Sequence, residues 1–179
     1  VGDYPESFEF NGIKLIRKEN LRYGTNPHQP ASLYIPEKGN GIISDYEIIK
    51  EGKSGLSQTN VEDINHAVAI IKYFSEPACA VMKHLNPSGA SVSKNGESLK
   101  EVYIKARDCD AQAAFGSTVV FNKEVDADTA EEIMHTIVEN VAAPAFSEEA
   151  VQILNDFNKY KRNKQIRVIK IGDISKLPK

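Results

Sequence analysis

The chain has 179 residues, 41% apolar and 26% charged, the composition of a soluble globular domain long enough to bury a core without disulfide staples. Its 22 basic and 25 acidic residues leave a net charge of −3. That balance argues against wholesale neutralisation of a nucleic-acid backbone, which needs clustered Lys and Arg, and leaves room for a local basic pocket for one phosphate. Cys79 and Cys109 show neither metal spacing nor a disulfide framework, so a reducing cytoplasm is the simplest setting. No apolar run approaches the ~18 residues of a membrane helix, so no membrane partner is expected.

The start, VGDYPESFEF, is acidic and polar and resembles neither a signal nor a transit peptide. It lacks an initiator Met, so the chain reads as cut or processed. Phe8 to Tyr34 alternates in places and predicts short extended pieces around the loop Tyr23 to Pro30, where two prolines and a glycine oppose a helix. Turns are expected at Lys38-Gly39-Asn40-Gly41 and at Gly52 to Gly55. Val61 to Phe74 predicts a helix capped by Asn60, with Glu62 and Asp63 at the positive end of its dipole. Its apolar stripe is Ile64, Val68, Ile71 and either Ala67 or Phe74. Ala78 to Met82 predicts a buried strand and Leu85 to Gly89 a loop.

Ser98 predicts a cap for a helix through Ala106, and the β-branched run Thr118 to Phe121 a second buried strand. Asp128 opens a further helix with Ile133, Ile137, Val138 and Val141 on its inner side. Ser147 caps a shorter one, and Gln165 to Ile171 alternates as a final strand. The tail from Ile174 to Lys179 reads as a stop in mid-connection. Helices alternating with short apolar strands predict an α/β domain with a mixed, partly parallel sheet flanked by helices.

Several segments hold groups that could do chemistry. Lys83-His84 ends a predicted strand, and ligands of α/β sheets gather at the carboxyl ends of strands. His84 can move a proton near neutral pH, and Lys83 can stabilise negative charge or bind phosphate. Asn86-Pro87-Ser88-Gly89 would turn the backbone sharply and aim N–H groups at a ligand. Equally, these residues can form an ordinary strand end reaching solvent. Arg22-Tyr23-Gly24 suits a phosphate or carboxylate, or is a solvated loop. Gly116, before the second strand, lets a ligand approach the backbone, or simply makes a turn. Glu139 and Asn140, placed at a helix end, offer an acceptor for a ribose hydroxyl, or a solvated terminus. No dinucleotide fingerprint, Walker loop or zinc-deaminase pattern occurs, and His66 and His135 stand alone on predicted helices.

Four strings extend this picture. LRYGTNPHQPASLY at Leu21 to Tyr34 is similar to an LRYGENPHQ signature, and EPACAVMKHLNPSGASV at Glu76 to Val92 to a KHxNPCG segment. DAQAAFGSTVVFNKEVDADTAEEI at Asp110 to Ile133 resembles SAFGGxxAFNREVDAETA, and VENVAAPAFSEEAVQIL at Val138 to Leu154 resembles VExIIAPxxSEEAL. In this order the blocks resemble the family of bifunctional purine-biosynthesis enzymes. Those enzymes join AICAR transformylase (phosphoribosylaminoimidazolecarboxamide formyltransferase) to IMP cyclohydrolase.

The resemblance implies transfer of the formyl group of 10-formyltetrahydrofolate, as co-substrate, to the 5-amino group of the nucleotide AICAR. It implies that His84 relays the amine proton and that Lys83 stabilises charge on the formyl group. Arg22 and Tyr23 would contact phosphate and base, Asn86 and Gly116 would lie close to the substrate, and Glu139 would accept from the ribose. No metal is implied. Residues 1–20 would be a linker and leading strand, and 21–179 the first of two cytidine-deaminase-like lobes of the transformylase domain. The cyclohydrolase domain and the second lobe fall outside the match. The intact enzyme would be a cytoplasmic homodimer. Two departures stand out: NPCG is NPSG, with Ser88, and SAFGG is AAFGS, with Ala113 and Ser117. The alternative is a non-catalytic nucleotide-phosphate binding module of the same fold.

Overall fold

The computed structural model describes residues 3–38, 41, 44–52 and 54–179. The alternating first segment forms an antiparallel sheet of β1 (Ser7–Phe10), β2 (Ile13–Leu21) and β3 (Ala31–Pro36), in that order. Asn11 and Gly12 make the first hairpin turn with φ of 51° and 73°. A two-residue turn of this hand matches strand twist, and Asn-Gly adopts it readily. The expected turn from Lys38 to Gly41 includes Gly39 and Asn40, which lie outside the described residues, as does Lys53 of the turn from Gly52 to Gly55.

The remaining strands are β4 (Glu47–Lys50), β5 (Ala78–Lys83), β6 (Asn86–Val92), β7 (Ser117–Phe121), β8 (Val138–Ala143) and β9 (Arg167–Lys170). They form one six-stranded sheet in the order β4-β9-β8-β7-β5-β6. β7 and β8 pair parallel, as do β8 and β9. β5 runs antiparallel to both β6 and β7, and β4 to β9. Among the described residues four α-helices, α1 (Gln58–Ile71), α2 (Leu99–Asp108), α3 (Ala127–His135) and α4 (Glu148–Asn155), and two short 3-10 turns complete the fold. This is the mixed, partly parallel α/β architecture expected from the sequence.

The strand period of two sorts the apolar residues into two cores. Cys79, Val81, Val119, Phe121 and Val141 pack with Val102 and Tyr103 of α2, Ile133 of α3 and Leu154 of α4. Ala80, Met82, Val120, Ala142 and Ile169 pack on the opposite side with Ile64, Ala67, Val68 and Ile71 of α1. With both faces covered, the central strands become continuous apolar runs. Each large apolar side chain buried there contributes about 1.5–3 kcal/mol.

Caps set the helix starts. Ser57, not Asn60, caps α1: its hydroxyl accepts the Asn60 N–H, while the Asn60 side chain accepts the Ser57 N–H, closing a capping box. Asn60 thus belongs to the start of the helix but three residues inside it. Asp63 then lies beyond the first turn and is buried. The stripe uses Ala67, while Phe74 falls beyond the helix and is exposed. Ser98 caps α2 with Glu101, and Ser147 caps α4, as expected. For α3 the cap is Asp126, two residues before the expected Asp128.

Two further expectations are corrected. The segment Leu85 to Gly89 is not a loop, because β6 begins at Asn86. Lys83 pairs with Asn86, so His84 and Leu85 alone make the turn, with φ of 52° and 68°. The left-handed region costs a non-glycine residue roughly 1–2 kcal/mol. Nor does the third long helix continue to Val141. It stops at His135, Thr136 turns extended, and Val138 to Ala143 becomes β8. The run Thr136-Ile137-Val138 is β-branched, and β8 gains ladders on both edges from β7 and β9. Tertiary pairing therefore overrides a plausible helical period. Glu139 and Asn140 consequently point to opposite faces of a strand, Glu139 exposed and Asn140 buried.

Candidate functional site

Backbone bonds tie the Arg22–Tyr23 segment to the start of α1. The Arg22 N–H donates to the Leu56 carbonyl at 2.8 Å, and the Gln58 N–H to the Tyr23 carbonyl at 2.9 Å. The Arg22 guanidinium lies 4.5 Å from the Tyr23 ring centroid and donates to the Tyr23 hydroxyl at 3.1 Å and to Ser54 Oγ at 3.3 Å. A second guanidinium approaches from β9. Arg167 is only 5% exposed. Its Nε donates to the Ser54 carbonyl at 2.9 Å and its Nη1 to Asn140 Oδ1 at 3.4 Å. Burial, then the neighbouring positive charge of Arg22, lower the Arg167 pKa from its ordinary value. Among the described residues neither guanidinium forms an ion pair. Such unpaired cations favour an anionic ligand.

Lys83 ends β5 and is held by two carbonyls: its Nζ donates to Phe115 at 3.0 Å and to Gly116 at 2.8 Å. Gly116 has φ of 67°, a conformation glycine adopts without steric cost. A methyl group placed on it would stand 3.2 Å from Lys83 Nζ and 3.5 Å from Glu139 Oε1. Gly116 therefore separates a cation from a carboxylate. Glu139 also lines an open cleft of about 230 Å³ with Arg22, Tyr23, Asn60, Gln165 and Arg167.

The structure thus gathers Arg22, Tyr23 and Glu139 in one cleft, with Lys83 and Gly116 at its margin. His84 and Asn86 do not line the cleft. His84 sits on the β5–β6 turn and Asn86 opens β6, its amide donating to the His84 carbonyl at 3.0 Å, and both side chains are exposed. The expected location needs one refinement. Because β5 runs against β7, the same sheet end carries the carboxyl end of β5 and the amino ends of β7, β8 and β9. Lys83 obeys the carboxyl-end rule, whereas Glu139 and Arg167 do not.

Three cleft residues escaped the sequence reading. Asn60 was assigned only a capping role, and Gln165 carries no motif. Arg167 did leave a signal, since an arginine at a buried position of a strand demands a reason. The two departures also find places. Ser88 Oγ donates to the Val81 carbonyl at 3.2 Å, inside the β5–β6 hairpin. The Ser117 hydroxyl is buried and has no hydrogen-bond partner among the described residues.

Comparison with known proteins adds an independent line. A family model described as "AICARFT/IMPCHase bienzyme" matches residues 3–179. The chain is 39% identical over 168 residues to the "Bifunctional purine biosynthesis protein PurH" of Clostridium perfringens (strain SM101 / Type A), covering 94% of this chain and 31% of that protein. Against the protein of the same name from Lysinibacillus sphaericus (strain C3-41) it is 41% identical over 169 residues, again 94% and 31%. For Clostridium botulinum (strain Eklund 17B / Type B) the identity is 35% over 179 residues, covering all of this chain and 34% of the relative. The chain therefore spans about a third of the length of these relatives.

Proposed function

Since this chain belongs to the AICARFT/IMPCHase bienzyme family, we propose that it forms the first lobe of an AICAR transformylase domain, residues 21–179, preceded by a leading segment in 1–20 that holds not one strand but β1 and most of β2. The reaction moves the formyl group of 10-formyltetrahydrofolate to the 5-amino group of AICAR. The intact protein would also close the formylated product to IMP, and would work as a cytoplasmic homodimer.

The observation that carries this reading is the meeting of two arginines and a carboxylate in one cleft, with a lysine tethered at its margin. Arg22 and Arg167 supply the positive charge that a nucleotide phosphate needs, and Tyr23 offers a ring to the base. Glu139 can accept from ribose hydroxyls, and Gly116 leaves the ligand space against the backbone. The AICAR amine is a weak nucleophile, because the ring and carboxamide withdraw its lone pair. Its attack on the formyl carbon needs removal of the amine proton, the role of His84, and stabilisation of the charge on the formyl oxygen, the role of Lys83; the bond from that carbon to the tetrahydrofolate nitrogen then breaks, and the proton His84 took passes to the leaving nitrogen. Asn86 borders His84 and helps define the substrate side of that turn.

Calorimetric titration of the full-length gene product with AICAR tests the cleft. Saturable binding is expected, weakened at least tenfold by Arg22→Ala, since a charge-assisted hydrogen bond is worth about 1.5–3 kcal/mol. Binding unchanged in that variant would remove the cleft as the nucleotide site. Full turnover by residues 1–179 alone would show that no further lobe is needed. Binding without any transfer by the full-length protein would instead favour a non-catalytic nucleotide module.

A further inference from the structure

Asp63 of α1 is 7% exposed and uses both carboxylate oxygens on groups around the site. Its Oδ1 accepts the Leu85 N–H at 2.8 Å, and its Oδ2 accepts the Thr118 hydroxyl at 3.4 Å. The Asn140 amide donates to Thr118 Oγ1 at 2.9 Å, and Arg167 Nη1 donates to Asn140 Oδ1 at 3.4 Å. All the donors point one way, from Arg167 in the cleft, through Asn140 of β8 and Thr118 of β7, to the carboxylate. Thr118 is 2% exposed and Asn140 is fully buried, so water does not compete for these bonds.

The carboxylate then grips the turn that carries His84. That turn has two consecutive left-handed residues, neither of them Gly, Asn or Asp. Its conformation must therefore be held by contacts from outside the turn, because the residues' own preferences oppose it. Two such contacts come from one face of α1. Asp63 holds the Leu85 N–H, and His66, three residues on, donates from Nδ1 to the Leu85 carbonyl at 3.1 Å.

We infer that Asp63 is the positioning residue for His84: its carboxylate fixes the His84–Leu85 turn and ties it, through Thr118 and Asn140, to Arg167 in the cleft. Asp63 touches neither substrate nor the reacting atoms and acts through His84. The inference rests on the reading of His84 as the proton relay.

The test uses the full-length gene product with Asp63→Ala and Asp63→Asn. Asparagine keeps an oxygen acceptor for the Leu85 N–H, whereas alanine removes it. Asp63→Ala is expected to lower kcat for formyl transfer at least tenfold with KM for AICAR changed less than threefold. Asp63→Asn is expected to restore kcat to within about threefold of the parent. A kcat for Asp63→Ala within twofold of the parent would overturn the inference, and so would a more than tenfold loss in Asp63→Asn with an unchanged melting temperature. If the alanine chain does not fold, the asparagine chain decides alone. If the parent itself shows no formyl transfer, the functional reading fails. The positioning role is then read from crystal structures: the turn keeps its left-handed φ values in Asp63→Asn and relaxes in Asp63→Ala, and a turn unchanged in both would contradict it.

Discussion

Gly116 lies between the two charged ends of the site. Its carbonyl accepts from Lys83, and its missing side chain leaves open the space that a methyl group would fill against Lys83 and Glu139. Gly116→Ala adds a methyl 3.2 Å from Lys83 Nζ, in a conformation that costs a side chain about 1–2 kcal/mol. A lower melting temperature together with slower formyl transfer is expected from thermal unfolding and a turnover assay. A variant unchanged in both would show that neither the conformation nor the lysine contact matters. The sequence pointed to this glycine through its place before a strand and the Phe115-Gly116 pair. It could not show the two partners, which come from β5 and β8.

Among the elements, β4 and α4 are joined by a buried amine. Lys50 Nζ donates to the Leu154 carbonyl at 2.8 Å and lies 4.2 Å from the Phe157 ring centroid. Burial lowers its pKa to about 8. The folded value lies below the unfolded one, so between about pH 8 and the ordinary lysine value of about 10.4 the unfolded chain binds the extra proton, and folding is favoured as pH rises. Relative to Lys50→Met, the parent should gain stability across that window and show a constant difference below it. Thermal melts of both proteins from pH 7 to 10.5 check this, and a difference independent of pH would contradict it. The helix caps Ser98 and Ser147 were legible because capping is a local matter of one hydroxyl and a nearby N–H. The boundary between α3 and β8 was not. Ile133, Ile137, Val138 and Val141 fit a helical period, and only the flanking strands, β7 on one side and β9 from nearly thirty residues later, settle the segment as a strand.

At the scale of the whole molecule, the mixed sheet assembles the site. Its order places β5, β7, β8 and β9 side by side, so Lys83, Gly116, Glu139 and Arg167 meet at one end of the sheet although they span more than eighty residues of sequence. The three-stranded sheet of β1 to β3 delivers Arg22 and Tyr23 to the same place, through backbone bonds to Leu56 and Gln58. The α/β class was readable from alternating patterns, and the candidate residues Lys83, His84, Arg22 and Glu139 from their motifs. Arg167 left only the signal of an arginine in a buried strand and Asp63 none, because their contacts are with long-range partners. No helix among the described residues is long and apolar enough to cross a membrane.

The assignment of this site to formyl transfer is tested most directly by measuring transfer from 10-formyltetrahydrofolate to AICAR in the full-length gene product and in its His84→Ala variant. General acid–base groups contribute about 10²–10⁴-fold, so transfer should fall by at least a hundredfold while AICAR binding and the melting temperature stay near those of the parent. Transfer by His84→Ala within threefold of the parent would contradict the proton relay and, with it, the chemistry proposed for the Lys83–His84 pair.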